Sequence, residues 1–220
     1  MLNPSLLRGF IFDFDGTVAD TLPICYEAFR RAAAPHQGRN LSDDEIRATF
    51  GPTEAGSVRL LAPESPDACL EDFYHHYEDL HRDIRDPFPG IRDTLHALKR
   101  KNYKLGIVTG KGLRSLEISI KALQLEGMFD SIEPGCPDAP CKPQAMRSML
   151  EEWNLPGEAV LCLGDSPSDI EAAHSVGAIA VAATWATTPE RRMAIEAVKP
   201  DLAFESFNDF AAWLKGNRIV

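Results

Sequence analysis

The stretch FIFDFDGT, residues 10–17, runs an apolar segment into two carboxylates, Asp13 and Asp15, and then into a glycine. Side chains alternate along a strand, so Asp13 and Asp15 share one side if the strand stays extended. Two carboxylates at one strand tip repel each other unless a cation or a proton offsets the charge. Gly16 allows a tight turn and Thr17 adds a hydroxyl. The pattern predicts a site with one ionised carboxylate near a metal and another able to carry a proton. KLGIVTGK ends in Thr109, Gly110 and Lys111, where a hydroxyl and a glycine amide can donate to an anion. PCKP sets Lys142 just before a helical pattern, with Pro143 suited to its first turn. VLCLGDSPSD ends in Gly164 and Asp165, with Asp169 four residues later. Each cluster alone reads as a turn or a cap. Together they supply four acids, two hydroxyls and a lysine at successive strand ends, which a set of unrelated turns does not explain.

These residues need a scaffold. Apolar runs at 9–14, 104–109, 159–164, 178–182 and 202–204 read as strands. Helical patterns lie between them: Ile91, Leu95 and Leu98 share one face, as do Leu113, Leu116, Ile120 and Leu123. Met146, Met149, Leu150 and Trp153 form another face, the methionines as core filler. Strands that are apolar throughout and alternate with helices predict a parallel sheet covered on both sides. Catalytic groups in such sheets gather beyond the carboxyl ends of the strands. SFNDFAAWLKG predicts a last amphipathic helix whose Phe207, Phe210 and Trp213 are core contacts.

Residues 17–87 break this rhythm, with helical signatures and no convincing strand. A helix is expected over 21–34, and Ser42 with Glu45 reads as a capping box ahead of Ile46 and Phe50. Ser65 and Pro66 open a long helix with Phe73, Tyr77, Leu80 and Ile84 on one stripe, stopped by the DPFPG segment. The division expected is a sheet domain over 1–16 and 88–220, interrupted by a helical unit over 17–87. His75 and His76 in that unit lack a paired metal-ligand motif and read as surface or packing residues.

Composition narrows the classes. The chain has 220 residues, 44% of them hydrophobic, enough to fill a core. A net charge of −10 is the wrong sign for a surface that coats nucleic acid. There is no apolar run long enough for a membrane span and no secretion signal. The five cysteines, at 25, 69, 136, 141 and 162, are odd in number and irregular in spacing. Reduced thiols in a cytoplasmic protein are the expectation, although Cys136 and Cys141 can approach each other in a loop.

In this order DFDGT, the strand ending in threonine, the Lys-Pro pair and GDSPSD resemble the haloacid dehalogenase superfamily of phosphotransferases. The resemblance spans essentially the whole chain and implies a Rossmann-like α/β core with an inserted α-helical cap of the first class. It implies that Asp13 is the nucleophile that becomes an aspartyl-phosphate and that Asp15 is the general acid and base. Thr109, the Gly110 amide and Lys142 are implied to bind the phosphoryl group, Lys142 also ordering the nucleophile. Asp13, the Asp15 backbone carbonyl and Asp165 are the implied ligands of Mg²⁺, with Asp169 a further acid acting through water or a hydrogen bond. Gly110-Lys111 departs from the TNK triplet frequent in such enzymes, which leaves the role of Lys111 open.

The residues also choose among reactions of that superfamily. Asp15 favours a phosphoryl ester, because a departing halide needs no proton. Residues 17–87 contain no lysine, which closes the imine route of phosphonoacetaldehyde hydrolases. The expected activity is hydrolysis of a small phosphomonoester, similar to phosphoglycolate phosphatases; a pyrophosphatase, a nucleotidase and a β-phosphoglucomutase-like mutase are the alternatives. A non-catalytic binding protein would not need all five of Asp13, Asp15, Lys142, Asp165 and Asp169. In the helical unit, Arg47, Gly51, Pro52 and Thr53 are the expected substrate contacts, and its arginines are candidates for a second anionic group on the substrate.

Overall fold

A computed structural model describes residues 3–220. Among them, six strands alternate with helices: β1 (Gly9–Phe12), α1 (Leu22–Gln37), α2 (Asp43–Arg47), α3 (Glu54–Leu61), α4 (Pro66–Leu80), α5 (Ile91–Arg100), β2 (Lys104–Val108), α6 (Leu113–Ala122), β3 (Ser131–Glu133), α7 (Lys142–Trp153), β4 (Val160–Gly164), α8 (Pro167–Ser175), β5 (Ile179–Ala183), α9 (Pro189–Ala197), β6 (Leu202–Phe204) and α10 (Phe207–Gly216). The strands form one sheet in the order β3-β2-β1-β4-β5-β6, every pair parallel. This is the doubly wound, Rossmann-like α/β arrangement expected from the sequence. Its two halves diverge on either side of β1, which opens a crevice at the carboxyl ends of the central strands.

The strands show why both faces are covered. Phe10, Phe12, Leu105, Ile107, Leu161, Leu163 and Val181 point to one face and pack on α5, α6 and α10. Ile11, Val108, Cys162, Ala180 and Ala182 point to the other and pack on α7, α8 and α9. The second face is built from smaller residues. At Gly106 in β2, a Cβ atom would lie 2.9 Å from the Trp153 ring, and α7 could not seat there.

The edge strand β3 was not legible as a strand. It has three residues and only Ile132 is apolar. Leu113 also departs from expectation: it is half exposed at the start of α6, while Leu116, Ile120 and Leu123 face the core. The other expected helices form, including the Ser42–Glu45 capping box of α2 and the last helix, α10, but the helix opened by Pro66 ends at Leu80: a 3-10 turn over His81–Asp83 follows, and Ile84 is already extended and off the helix.

Helices α1 to α4 follow β1 and build a separate apolar cluster in which α1 lies along α4. Phe29 and Phe73 meet with ring centroids 4.4 Å apart, and Phe73 stacks on Tyr77. Val18 and Ala19 still belong to the sheet-side core, and the helical cluster begins with Leu22 and Ile24. The helical layer meets the sheet side mainly through α6. Tyr77 Oη and His81 Nε2 each lie 2.9 Å from Ser119 Oγ, all three residues buried. Burial, and then the nearby Lys111 charge, pull the His81 imidazole down to about 4, so it sits neutral in this seam.

Phe73 is the centre of the helical cluster, with no exposed surface. Phe73→Ala is expected to cost about 3–5 kcal/mol. Chemical denaturation followed by circular dichroism reads the loss; an unchanged midpoint would contradict this account of the cluster.

Candidate active site

The segment that carries Asp13 and Asp15 is a turn held by backbone bonds. β1 ends at Phe12, and the Phe14 carbonyl then accepts from the amides of Val18 and Ala19 while the Gly16 amide donates to the Ala19 carbonyl. Gly16 takes a φ of +79°, and a Cβ there would lie 2.5 Å from Asp165 Oδ2. The residue must therefore be glycine on two counts, conformation and room. The turn sends Asp13 and Asp15 to different partners.

Asp13 joins the acids of β4 and α8. Carboxylate oxygens of Asp13, Asp165 and Asp169 lie within 4.8 Å of one another. Lys142, at the first position of α7, stands between two of them: its Nζ is 3.1 Å from Asp13 Oδ2 and 2.5 Å from Asp169 Oδ1. The second Asp169 oxygen accepts from the Ser166 amide and hydroxyl, so this acid also caps its own helix. Burial pushes the Lys142 ammonium down, but Asp13 and Asp169 more than offset it and hold the group charged. Burial pushes Asp13 up to about 6, with Asp169 and Asp15 adding to the effect and Lys142 opposing it. Asp165 is pushed up to about 8, by burial first and then by Asp13.

Asp15 turns to the other side. Both its oxygens face Lys111 Nζ, at 3.2 and 3.3 Å, and the Thr21 hydroxyl at the start of α1 donates to Oδ1. Lys111 is buried, 4.4 Å from the centre of the Tyr77 ring and 4.0 Å from Glu54 Oε1. The question the sequence left open at position 111 thus has a structural answer: the ammonium holds Asp15 in place. Glu54, on α3, accepts from the Gly112 amide at 2.8 Å and from the Ser115 hydroxyl, reaching across to the first turn of α6.

Asp13, Asp15, Glu54, Lys111, Lys142 and Asp165 open into one cavity of about 600 Å³. Asp13, Asp15, Thr109, Gly110, Lys142 and Asp165 form its floor at the strand ends; of the core residues singled out, Asp169 stays behind Lys142 and Thr17 is buried away from it. The helical layer forms the roof. Of the four residues expected to touch substrate, Gly51 and Pro52 line it and Arg47 and Thr53 do not. Arg47 donates to Tyr26 Oη at 3.0 Å and pairs with Asp44 on its own helix, while the Thr53 amide donates to the Cys136 carbonyl. Glu54, Phe50, Thr21 and Arg191 were missed. Glu54 and Phe50 flank the Gly51-Pro52 break, a usable signal; Thr21 and Arg191 carry none outside the fold. Arg191, on α9, places Nη2 2.9 Å from Asp165 Oδ2.

The loop before Lys142 corrects the expectation for the thiols. Cys136 and Cys141 are joined by a disulfide, with Cα atoms 6.0 Å apart, while Cys25, Cys69 and Cys162 are free and buried. A loop that folds back on itself brings the two cysteines within bonding reach, which irregular spacing along the chain did not reveal.

The acid cluster suits a divalent cation. Asp13 Oδ1 is buried without a hydrogen-bond partner among the described residues, an arrangement that is costly unless something else binds it. The donors are all oxygens, the set that hard cations prefer.

The comparisons with known proteins follow this geometry. The family model for haloacid dehalogenase-like hydrolases matches residues 10–183. The chain therefore belongs to the haloacid dehalogenase-like hydrolases, and the expectation of a phosphatase in that superfamily stands. Relatives include a phosphoglycolate phosphatase of Synechococcus elongatus, 29% identical over 92% of this chain and 95% of that protein. A pyrophosphatase PpaX of Bacillus mycoides is 24% identical over 90% and 93%. Among solved structures, a predicted phosphoglycolate phosphatase from Haemophilus somnus superposes with a TM-score of 0.79 at 23% identity, covering 94% of this chain and 98% of that one. A β-phosphoglucomutase from Clostridium difficile gives 0.77 at 20%, covering 96% of each. Both show the same fold.

Protons and a cation compete for Asp13 and Asp165. Raising the pH from below 6 to above 8 removes those protons, so affinity for Mg²⁺ is expected to climb through that window and then level off. Calorimetric titration of the protein with Mg²⁺ at both ends of the window tests this; a flat affinity would argue against these two ligands.

Proposed function

We propose that the protein hydrolyses a small phosphomonoester with the help of Mg²⁺, by way of a phosphate carried on Asp13. The observation that carries this reading is the meeting of Asp13, Lys142, Asp165 and Asp169 at the carboxyl ends of the central strands, with one Asp13 oxygen left unpaired. Residues 17–87 act as the cap that roofs the reaction, and residues 1–16 with 88–220 as the catalytic core.

Asp13, the Asp15 carbonyl and Asp165 would hold Mg²⁺, which supplies positive charge to offset the repulsion between a phosphate dianion and a carboxylate. Lys142 fixes the Asp13 carboxylate from one side and lends its charge to the phosphoryl oxygens. Thr109 and the Gly110 amide, beyond the end of β2, donate to the same oxygens. An oxygen of Asp13 bonds to phosphorus as the ester oxygen leaves, and Asp15 gives that oxygen its proton. Asp15, now ionised, takes a proton from water as the water oxygen attacks phosphorus. The acyl-phosphate bond breaks, Asp13 is regenerated and inorganic phosphate departs. Lys111 and Thr21 keep Asp15 aimed through both halves of the cycle.

Asp13→Asn is expected to abolish turnover and to leave no acid-stable phosphate on the protein. Asp15→Asn divides the cycle by leaving group. With an alkyl phosphate the first step should fall by roughly 10²- to 10⁴-fold. With an activated aryl phosphate that step survives, giving a stoichiometric burst followed by slow release. Rapid-quench kinetics and peptide mapping of trapped phosphate check both; phosphate mapped to a residue other than Asp13 would overturn the assignment.

A further inference from the structure

The roof of the cavity says what kind of leaving group fits beneath it. Leu22, Cys25 and Phe29 of α1 face the cavity, with Phe50 and Pro52 from the loop between α2 and α3. Phe50 lines the cavity and stacks on Tyr26, the two rings nearly parallel, and keeps more than a third of its surface exposed. Burial pushes the Cys25 thiol far up, so it is an uncharged part of the wall. No cationic side chain from residues 17–87 lines this space.

The arginines of that region lie outside the cavity, and all but Arg85, which donates to the Arg82 carbonyl, meet an acid there. Arg30 and Arg31 both meet Glu27, Arg39 meets Glu45, Arg59 meets Asp138 and Arg82 meets Asp79. Arg47 is held by Tyr26 and Asp44. The one charged side chain that this region sends into the cavity is Glu54, an acid.

Charge accounting over the whole lining gives the same result. The acids are Asp13, Asp15, Glu54, Asp165 and Glu171, and the cations are Lys111, Lys142 and Arg191. Each cation already has a carboxylate partner: Asp15 for Lys111, Asp13 for Lys142, Asp165 for Arg191. The lining thus holds five acids against three cations, with Asp169 behind Lys142 in addition, an excess of negative charge that a divalent ion offsets in part. What remains accommodates one phosphoryl group and offers nothing to a second anion, whose burial without a partner is strongly unfavourable. The volume, about 600 Å³, lies within the range of roughly 300–1,000 Å³ typical of pockets for drug-sized ligands and far exceeds the needs of a two-carbon acid.

From this we infer that the leaving-group half of the site selects an uncharged, largely apolar organic body, aryl or bulky alkyl, carrying a single phosphate, and rejects monophosphates that bear a carboxylate or a second phosphate. The inference rests on the phosphatase reading and narrows it. It sets this chain apart from the substrates named for the relatives above.

The test compares esters of similar alcohols, so that leaving-group reactivity does not decide the outcome. 2-Phenylethyl phosphate should exceed phosphoglycolate in kcat/KM by about tenfold or more, chiefly through KM. Pyrophosphate should be poorer still. Phe50→Ser should shrink the ratio of 2-phenylethyl phosphate to ethyl phosphate. Calorimetry in the presence of Mg²⁺ with two non-hydrolysable probes, benzylphosphonate and phosphonoacetate, reads the subsite without turnover. Tighter binding of benzylphosphonate supports the inference even if no ester is cleaved, in which case the phosphatase reading alone fails. Equal or tighter binding of phosphonoacetate, no binding of benzylphosphonate, or a preference for phosphoglycolate in turnover overturns it.

Discussion

Crowded negative charge at the tips of β1 and β4 governs the rest of this structure. Three buried carboxylates within 4.8 Å of one another repel strongly, and burial makes each ionised form costlier still. Lys142 answers part of that repulsion from the first turn of α7, and the unpaired oxygen of Asp13 leaves room for a cation to answer more. The surrounding architecture follows from this need. Parallel strands bring the acids to one edge, Gly16 clears space beside Asp165, and Ser166 restrains Asp169. An apolar sheet alone would not require any of these details.

A second buried charge organises the contact between the helical layer and the sheet. Lys111 touches Asp15 and lies near Glu54 and Tyr77, so one ammonium meets the core motif and two elements of the inserted helices. Burial pulls it down, but the charge of Asp15 and its neighbours holds it well above the ordinary lysine range. Next to it, Glu54 satisfies the first turn of α6, and Ser119 collects Tyr77 and His81. The seam is polar and buried, unlike the apolar interiors on either side. Polar seams of this kind hold a defined geometry because each group has few alternatives to its partner.

Most of the core was legible because its signals are local. A strand that ends in an acid can be read from a few adjacent letters, and the capping box of α2 from four. The parallel sheet followed from apolar runs separated by helical periods. The edge strand β3 escaped because three residues with one apolar side chain carry no period. Partners across the fold escaped for a different reason. Lys111 and Asp15 are 96 residues apart, and Arg191 reaches Asp165 from a helix after β5. Nothing near position 111 or 191 reveals which acid each will meet. The arginines of residues 17–87 misled in the opposite sense: abundant cations suggested an anion site, but none of them lines the cavity, and most pair with acids outside it.

The grip on Asp15 has a consequence for timing. One holder, Thr21, stands at the cap position of α1 in the helical layer, while the other, Lys111, lies beyond the end of β2. The carboxylate is therefore clamped only while both bodies are in register. Such an arrangement would work as an interlock: a displaced roof would loosen the grip on Asp15 at the same moment that it admitted bulk water. Enclosure and the aim of that carboxylate would then be a single mechanical state.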